Sequence, residues 1–324
     1  MRFKNNLTKT FPTRPHKNHK KRNHKKVPTR ATQQSSQELR PRTASALATF
    51  CIINAACMSF LTQNAFYNRP PYIPSSDQAA YAEISTTSAQ TSTPLDQFAD
   101  KLDLPILVYH IVRPSYPDDS ASVRAIALTP ETFDAQMTYL KESGYHVVTF
   151  TDLEYYYKNK KPLSRNPIIL SFDDGWKDQF QYAFPILKKH GYTATFFVFT
   201  NSIDHKSFFS LAQLKEMLAA GMIIGSHSRT HPYLTQITNQ DALWREISGS
   251  KKILEDLLGV RIHEFAYPFG AYNDTIVAMA KKAGYRSARG DYFTGVQSAN
   301  HLYELSAMNA PTTMDLFRKK FQPK

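Results

Sequence analysis

From Leu104 onward, short apolar runs alternate with stretches whose apolar positions recur every three or four residues. The runs are LPILVYH (104–110), YHVVTF (145–150), PIILSF (167–172), TATFFVF (193–199), MIIGSH (222–227), HEFAYPF (263–269) and YRSAR (285–289), with LYELSAM (302–308) as a weaker eighth. Short apolar runs between turn signals predict strands buried on both faces. The intervening stretches read as helices. TPETFDAQMTYLKESG has Thr129 placed as N-cap, Pro130 in the first turn and Gly144 as the stop. TDLEYYYKNKK, DQFQYAFPILKKHG, SLAQLKEMLAAG, NQDALWREISGSKKILEDLLG and NDTIVAMAKKAG follow, most of them ending in Gly, and TTMDLFRKKF closes the chain.

Strands alternating with helices imply an α/β fold with a largely parallel sheet. Seven or eight such units in about 220 residues predict a distorted (β/α)7-8 barrel over residues 104–324. No GxGxxG or phosphate-loop pattern favours a nucleotide-binding fold.

Upstream of Leu104 the pattern is different in kind. Residues 67–103 are rich in Pro, Ser, Thr, Ala and Gln without hydrophobic periodicity, and read as a flexible linker. Residues 43–66 contain an apolar core from about Ala44 to Leu61, near the minimum length for a transmembrane helix.

The charge changes this picture only at the N-terminus. The formal charge is +13, but residues 1–42 hold thirteen Lys or Arg against the single acid Glu38, so this tail carries +12 of it. The rest of the chain is close to neutral, and no nucleic-acid partner is expected of the domain. A basic tail before an apolar segment fits the positive-inside rule. The expectation is a cytoplasmic tail (1–42), a signal-anchor crossing the membrane (43–66), and a domain outside the cytoplasm, periplasmic or at the cell surface, or secreted if the segment is cleaved. Both cysteines, Cys51 and Cys57, lie inside the apolar segment. Any metal in the domain must therefore be held by His and carboxylate.

Polar residues cluster where the predicted strands end, which is where barrels of this kind place their active sites. Asp173 and Asp174 follow IILSF, His227 follows MIIGS with His231 four residues on, His110 follows ILVY, and Pro268-Phe269-Gly270 follows FAY. Two histidines four apart can face one metal from a single helical turn. Adjacent aspartates repel, and the repulsion is relieved if their roles divide. One carboxylate completes a His-His-Asp metal set with a position left open; the other takes a proton from water.

FDDG, HSxxH and YPFG in this order resemble the polysaccharide deacetylase family, the NodB-homology or carbohydrate esterase 4 group, over roughly residues 104–310. The resemblance implies removal of N-acetyl groups from amino sugars, with a divalent metal, zinc first and Co2+ or Ni2+ as alternatives. It implies that Asp173 is the catalytic base and that Asp174, His227 and His231 bind the metal. Tyr267, Pro268 and Phe269 would line the substrate groove, with the Phe269 N–H supporting the oxyanion, and Trp176, Tyr267 and Phe269 are candidates to pack the acetyl methyl or stack on a sugar face. LPILVYH is similar to the strand that opens the domain in poly-β-1,6-N-acetylglucosamine N-deacetylases, where the general acid comes from that strand, here His110. The chain departs from the family at Ala266, where an Arg often supports the base, and Arg289 or Asp291 are the candidates to replace it. It also departs at LYELSAMNAP, which lacks the usual acid His; His301 lies nearby in sequence but is misplaced for the role. The implied partner is an N-acetylated polysaccharide, with the membrane engaged through the N-terminal helix. A non-catalytic glycan-binding module on the same barrel is the alternative.

Overall fold

The computed structural model describes residues 98–290 and 295–323. The basic tail, the apolar segment, the linker up to residue 97, and Asp291 lie outside the described residues. Among those described, no helix is long and apolar enough to cross a membrane.

Among the described residues, twelve strands occur in chain order: β1 (Lys101–Asp103), β2 (Ile106–Tyr109), β3 (Ile111–Val112), β4 (Ala127–Leu128), β5 (His146–Val147), β6 (Pro167–Phe172), β7 (Thr195–Val198), β8 (Ile223–Ser226), β9 (Glu264–Ala266), β10 (Ser287–Arg289), β11 (Val296–Ser298) and β12 (Met308–Asn309). The main sheet runs β10-β9-β8-β7-β6-β2-β12, with β5 pairing the start of β6, and every pairing in it is parallel. With helices between successive strands, this is an α/β half-barrel. Two expectations are corrected here. The expected distorted (β/α)7-8 barrel is a half-barrel, and its eighth run, LYELSAM, is strand only at its last residue, Met308, where β12 begins, while Leu305 bridges back to Arg289. The linker also ends before residue 103, because Lys101–Asp103 pairs antiparallel with β11.

Helix starts follow the sequence signals. Thr129 caps Pro130–Glu142 through Thr132 N–H, Ser210 and Gln213 form a capping box on Leu211–Ala219, and Asn273 caps Asp274–Lys282. TDLEYYYKNKK begins earlier than its pattern predicts, since Thr149 and Asp152 make the capping box of Phe150–Asn159.

Strand alternation sorts the core into two faces. Leu107, Tyr109, Leu170, Phe172, Phe265, Tyr267 and Ala288 join the cluster that packs under the outer helices. Ile106, Val108, Ile169, Phe197 and Ala266 join the inner cluster, with Phe150, Leu153 and Tyr156 of helix Phe150–Asn159. That helix sits at the N-terminal ends of the strands, where Thr151 donates to Glu264 at 3.3 Å. The opposite, C-terminal ends are thereby left for chemistry.

Candidate active site

Continuing the inner parity one or two residues past each strand reaches His110 after β2, Asp173 after β6 and His227 after β8; on β9 and β10 it reaches Ala266 and Arg289, which are Cα partners in the parallel register. These positions therefore converge by strand geometry alone. The strand ends are locked together. Asp173 N–H donates to Tyr109 O at 2.9 Å, and the buried Gln179 side-chain amide donates to the carbonyls of both His110 and Asp173 at 2.6 Å each.

The turns that follow are tight. Of the eight described non-glycine residues with positive φ, four lie in the three motif turns: Asp174 (72°), Ser228 (68°), His231 (60°) and Phe269 (58°). Backbone held in this sparsely populated region concentrates at functional sites. Gly175 shares the conformation at φ 75°, and a Cβ there would meet Val198 and Phe209 at 3.3 Å, so only glycine lets the acidic turn sit this close to β7.

HSRTH does not form the helical turn its spacing suggested. It is a loop. Glu246 holds it, accepting from the N–H groups of Arg229 (3.0 Å) and Thr230 (2.8 Å) and from the Thr230 hydroxyl (2.8 Å), while His231 N–H donates to Ser228 Oγ at 3.0 Å. The loop curls His231 back toward His227, and their Nε2 atoms stand 3.2 Å apart. Asp174 Oδ1 is 3.3 Å from His231 Nε2 and 3.7 Å from His227 Nε2.

These three donors could hold a metal ion. Bonds of about 2.0–2.1 Å in a tetrahedral zinc site put neighbouring donor atoms about 3.3–3.4 Å apart, close to the three separations observed. Their protonation fits too. His227 Nδ1 donates to Ala266 O at 2.8 Å, which leaves the Nε2 lone pair facing inward. Burial pushes the His227 pKa below its ordinary value, favouring the neutral ring. Burial acts to raise the Asp174 pKa, but the hydrogen bond to His231 and the neighbouring His227 and His110 outweigh it, holding the carboxyl well below the usual range. Three protein donors leave a position open, the arrangement of catalytic rather than purely structural metal sites.

Asp173 stands beside this set. It is buried, its Oδ1 accepts from Arg289 Nη2, and its Oδ2 lies 3.9 Å from His227 Nε2 and 4.0 Å from His110 Nε2. Arg289 is itself buried, with its guanidinium 4.8 Å from the Phe197 ring centroid. Two charges buried side by side offset each other's desolvation, which neither could sustain alone.

The aromatic candidates separate. Phe269 is 48% exposed, lies 4.6 Å from the His231 ring and stacks on Tyr233 at 3.8 Å, Tyr233 being 45% exposed. Tyr267 does not line a groove: it is buried on the helix-covered face and donates to Tyr303 O, and Pro268 is buried beside it. Trp176 donates its indole N–H to Asp174 Oδ2 at 2.9 Å. His301 is on the surface, paired with Glu304. Glu246, Gln179 and Tyr233 were not singled out from the sequence, and only the strand parity shared by Ala266 and Arg289 would have marked Arg289 over Asp291.

Residues 160–288 match the family model described as polysaccharide deacetylase. YxkH of Bacillus subtilis, which bears the same family description, is 33% identical over 183 residues, covering 56% of this chain and 62% of YxkH, under two thirds of its length. The poly-beta-1,6-N-acetyl-D-glucosamine N-deacetylase of Staphylococcus aureus is 25% identical over 199 residues, covering 55% of this chain and 68% of that protein. The structure of the Streptococcus pyogenes deacetylase PplD in complex with acetate superposes with a TM-score of 0.63 at 28% identity, covering 71% of this chain and 100% of that one.

Proposed function

The chain belongs to the polysaccharide deacetylase family, and from that membership we propose that its domain, residues 104–324 extended at its start by β1, is a metal-dependent N-deacetylase. The substrate is an N-acetylglucosamine-containing polysaccharide. Poly-β-1,6-N-acetylglucosamine is favoured by the likeness to the S. aureus enzyme and by His110 at the end of the opening strand; peptidoglycan and chitin-like glycans share the acetamido group.

One observation carries the reading: a buried carboxylate left over. Asp174, His227 and His231 supply the donor set, and Asp173 points Oδ2 to within 4.0 Å of both His227 and His110 without joining it. A glycan-binding module would have no use for that arrangement.

A divalent cation held by Asp174, His227 and His231, zinc by expectation with Co2+ or Ni2+ as substitutes, would polarise the acetyl carbonyl and acidify a nearby water. Asp173 accepts a proton as the water oxygen attacks the carbonyl carbon. Arg289, donating to Oδ1, holds that carboxylate aimed. The Phe269 N–H, at the turn beside His231, supports the negative oxygen as it develops. His110, its Nε2 4.0 Å from Asp173 Oδ2, protonates the nitrogen as the C–N bond breaks. The products are acetate and a free amino sugar. The basic tail and apolar segment support a membrane-anchored protein with this domain outside the cytoplasm.

The test is acetate release from poly-N-acetylglucosamine, peptidoglycan and chitin oligomers by the full chain with added Zn2+, Co2+ or Ni2+. Asp173→Asn should bind the cation and release no acetate above background. Near-normal turnover in that variant would refute the reading.

A further inference from the structure

We propose that Trp176 is a positioning residue for the metal site: its indole N–H occupies Asp174 Oδ2, reserves Oδ1 for the cation, and makes Trp176 a built-in optical reporter of occupancy. The inference rests on the metal-site reading above but concerns a residue which that reading leaves without a role.

A carboxylate offers two oxygens, and a cation can take either one or both. In this site the choice is restricted. Oδ1 faces His231 Nε2 at 3.3 Å and His227 Nε2 at 3.7 Å, whereas Oδ2 accepts from Trp176 Nε1 at 2.9 Å. An indole N–H can only donate, so it cannot bind the cation itself or exchange roles with the carboxylate. With Oδ2 engaged, Asp174 is set to bind through a single oxygen, which keeps coordination space free for substrate.

The indole is rigid enough for this. Trp176 forms an antiparallel bridge with Phe208, reinforced by Lys177 N–H to Ser207 O and Phe209 N–H to Gly175 O, each at 2.9 Å. Its ring stacks on Phe208 at 4.6 Å, Phe208 meets Phe199 edge-on at 5.2 Å, and Phe199 lies 5.4 Å from the His231 ring. One aromatic arc thus runs from the residue that orients Asp174 to the residue that supplies the opposing imidazole. With one ring face covered and its N–H used, Trp176 is poorly placed to be the sugar-stacking residue its sequence position suggested.

The chain has two tryptophans, Trp176 and Trp244. In a full-length Trp244→Phe background, titrating metal-free protein with Co2+ should quench Trp176 emission saturably, with the same Kd as calorimetry. Trp176→Phe keeps a stacking ring and removes the N–H. It should weaken Co2+ and Zn2+ binding by about 10–100-fold, the range for residues that orient a ligand, and should alter the visible Co2+ spectrum as Asp174 becomes free to chelate. Should this variant fold poorly, 3-benzothienylalanine at position 176 matches the indole in shape and lacks only the N–H; the same loss is expected. A Kd within twofold of the parent with an unchanged Co2+ spectrum would overturn the proposal while leaving the deacetylase reading intact. A parent protein that binds no cation would instead sink that reading.

Discussion

Arg289 donates to Asp173 Oδ1 from β10, and its Cα partner across the rung is Ala266 on β9. The guanidinium therefore reaches the carboxylate from one strand further round the half-barrel than the position the sequence motif marks. Because partnered residues on adjacent parallel strands project to the same face, the two positions are geometrically close to equivalent.

Arg289→Ala should lower kcat for deacetylation by about 100-fold, the scale on which misplacing a reacting group acts. Cation Kd should be little changed. Loss of one partner of a buried ion pair costs about 3–5 kcal/mol, so Tm should fall as well. The decisive variant adds Ala266→Arg, which returns the charge across one rung and should recover part of both kcat and Tm. A double variant no better than the single one would mean that the two positions are not interchangeable.

His110 is predicted to matter in proportion to how badly the leaving group needs a proton. His110→Ala should reduce amide hydrolysis by about 10²–10⁴-fold. An aryl acetate, whose phenolate leaves unaided, should be affected far less. Equal losses on both substrates would remove His110 from the acid role.

The stacked Tyr233–Phe269 pair forms an exposed aromatic wall beside His231. Tyr233→Ala should raise KM for an oligosaccharide by roughly fivefold, the equivalent of about 1 kcal/mol for an aromatic contact. KM for a small aryl acetate should not move. Parallel changes would indicate damage to the metal site instead.

Glu264, at the N-terminal end of β9, gives a pH-dependent test remote from the chemistry. Burial raises its pKa to about 7, against the hydrogen bond from Thr151 and the nearby Arg286. Between the ordinary carboxylate value and about 7 the folded state binds more protons than the unfolded one, so stability falls as pH rises through that window. Glu264→Gln should therefore raise Tm at pH 8, by an amount corresponding to at most about 3 kcal/mol, and leave it nearly unchanged near pH 4. A Tm gain independent of pH would show that the carboxylate is not charged at pH 8.

Much of the fold is legible along the chain because its signals are local. Thr129, Ser210 and Asn273 cap helices whose apolar periodicity is plain, and PIILSF is buried at every position because a parallel strand is covered on both faces. The weak eighth run is less legible, since only its last residue, Met308, finds a parallel partner in β2. HSRTH misleads for a related reason: its spacing matches a helical turn, but the loop's shape is imposed by Glu246, fifteen residues beyond His231.

By itself, the sequence determined the order of the main-sheet strands and of the longer helices between them, and the end of the sheet where Asp173, Asp174, His227, His231 and His110 gather, because alternation and turn chemistry act over a few residues. Tertiary structure alone decided what each side chain does there. It turned Tyr267 into core, set Trp176 on a carboxylate oxygen and brought Arg289 to Asp173, 116 positions earlier in the chain. Those outcomes depend on which face of which neighbouring strand meets the site, and that is fixed by register between segments far apart in sequence.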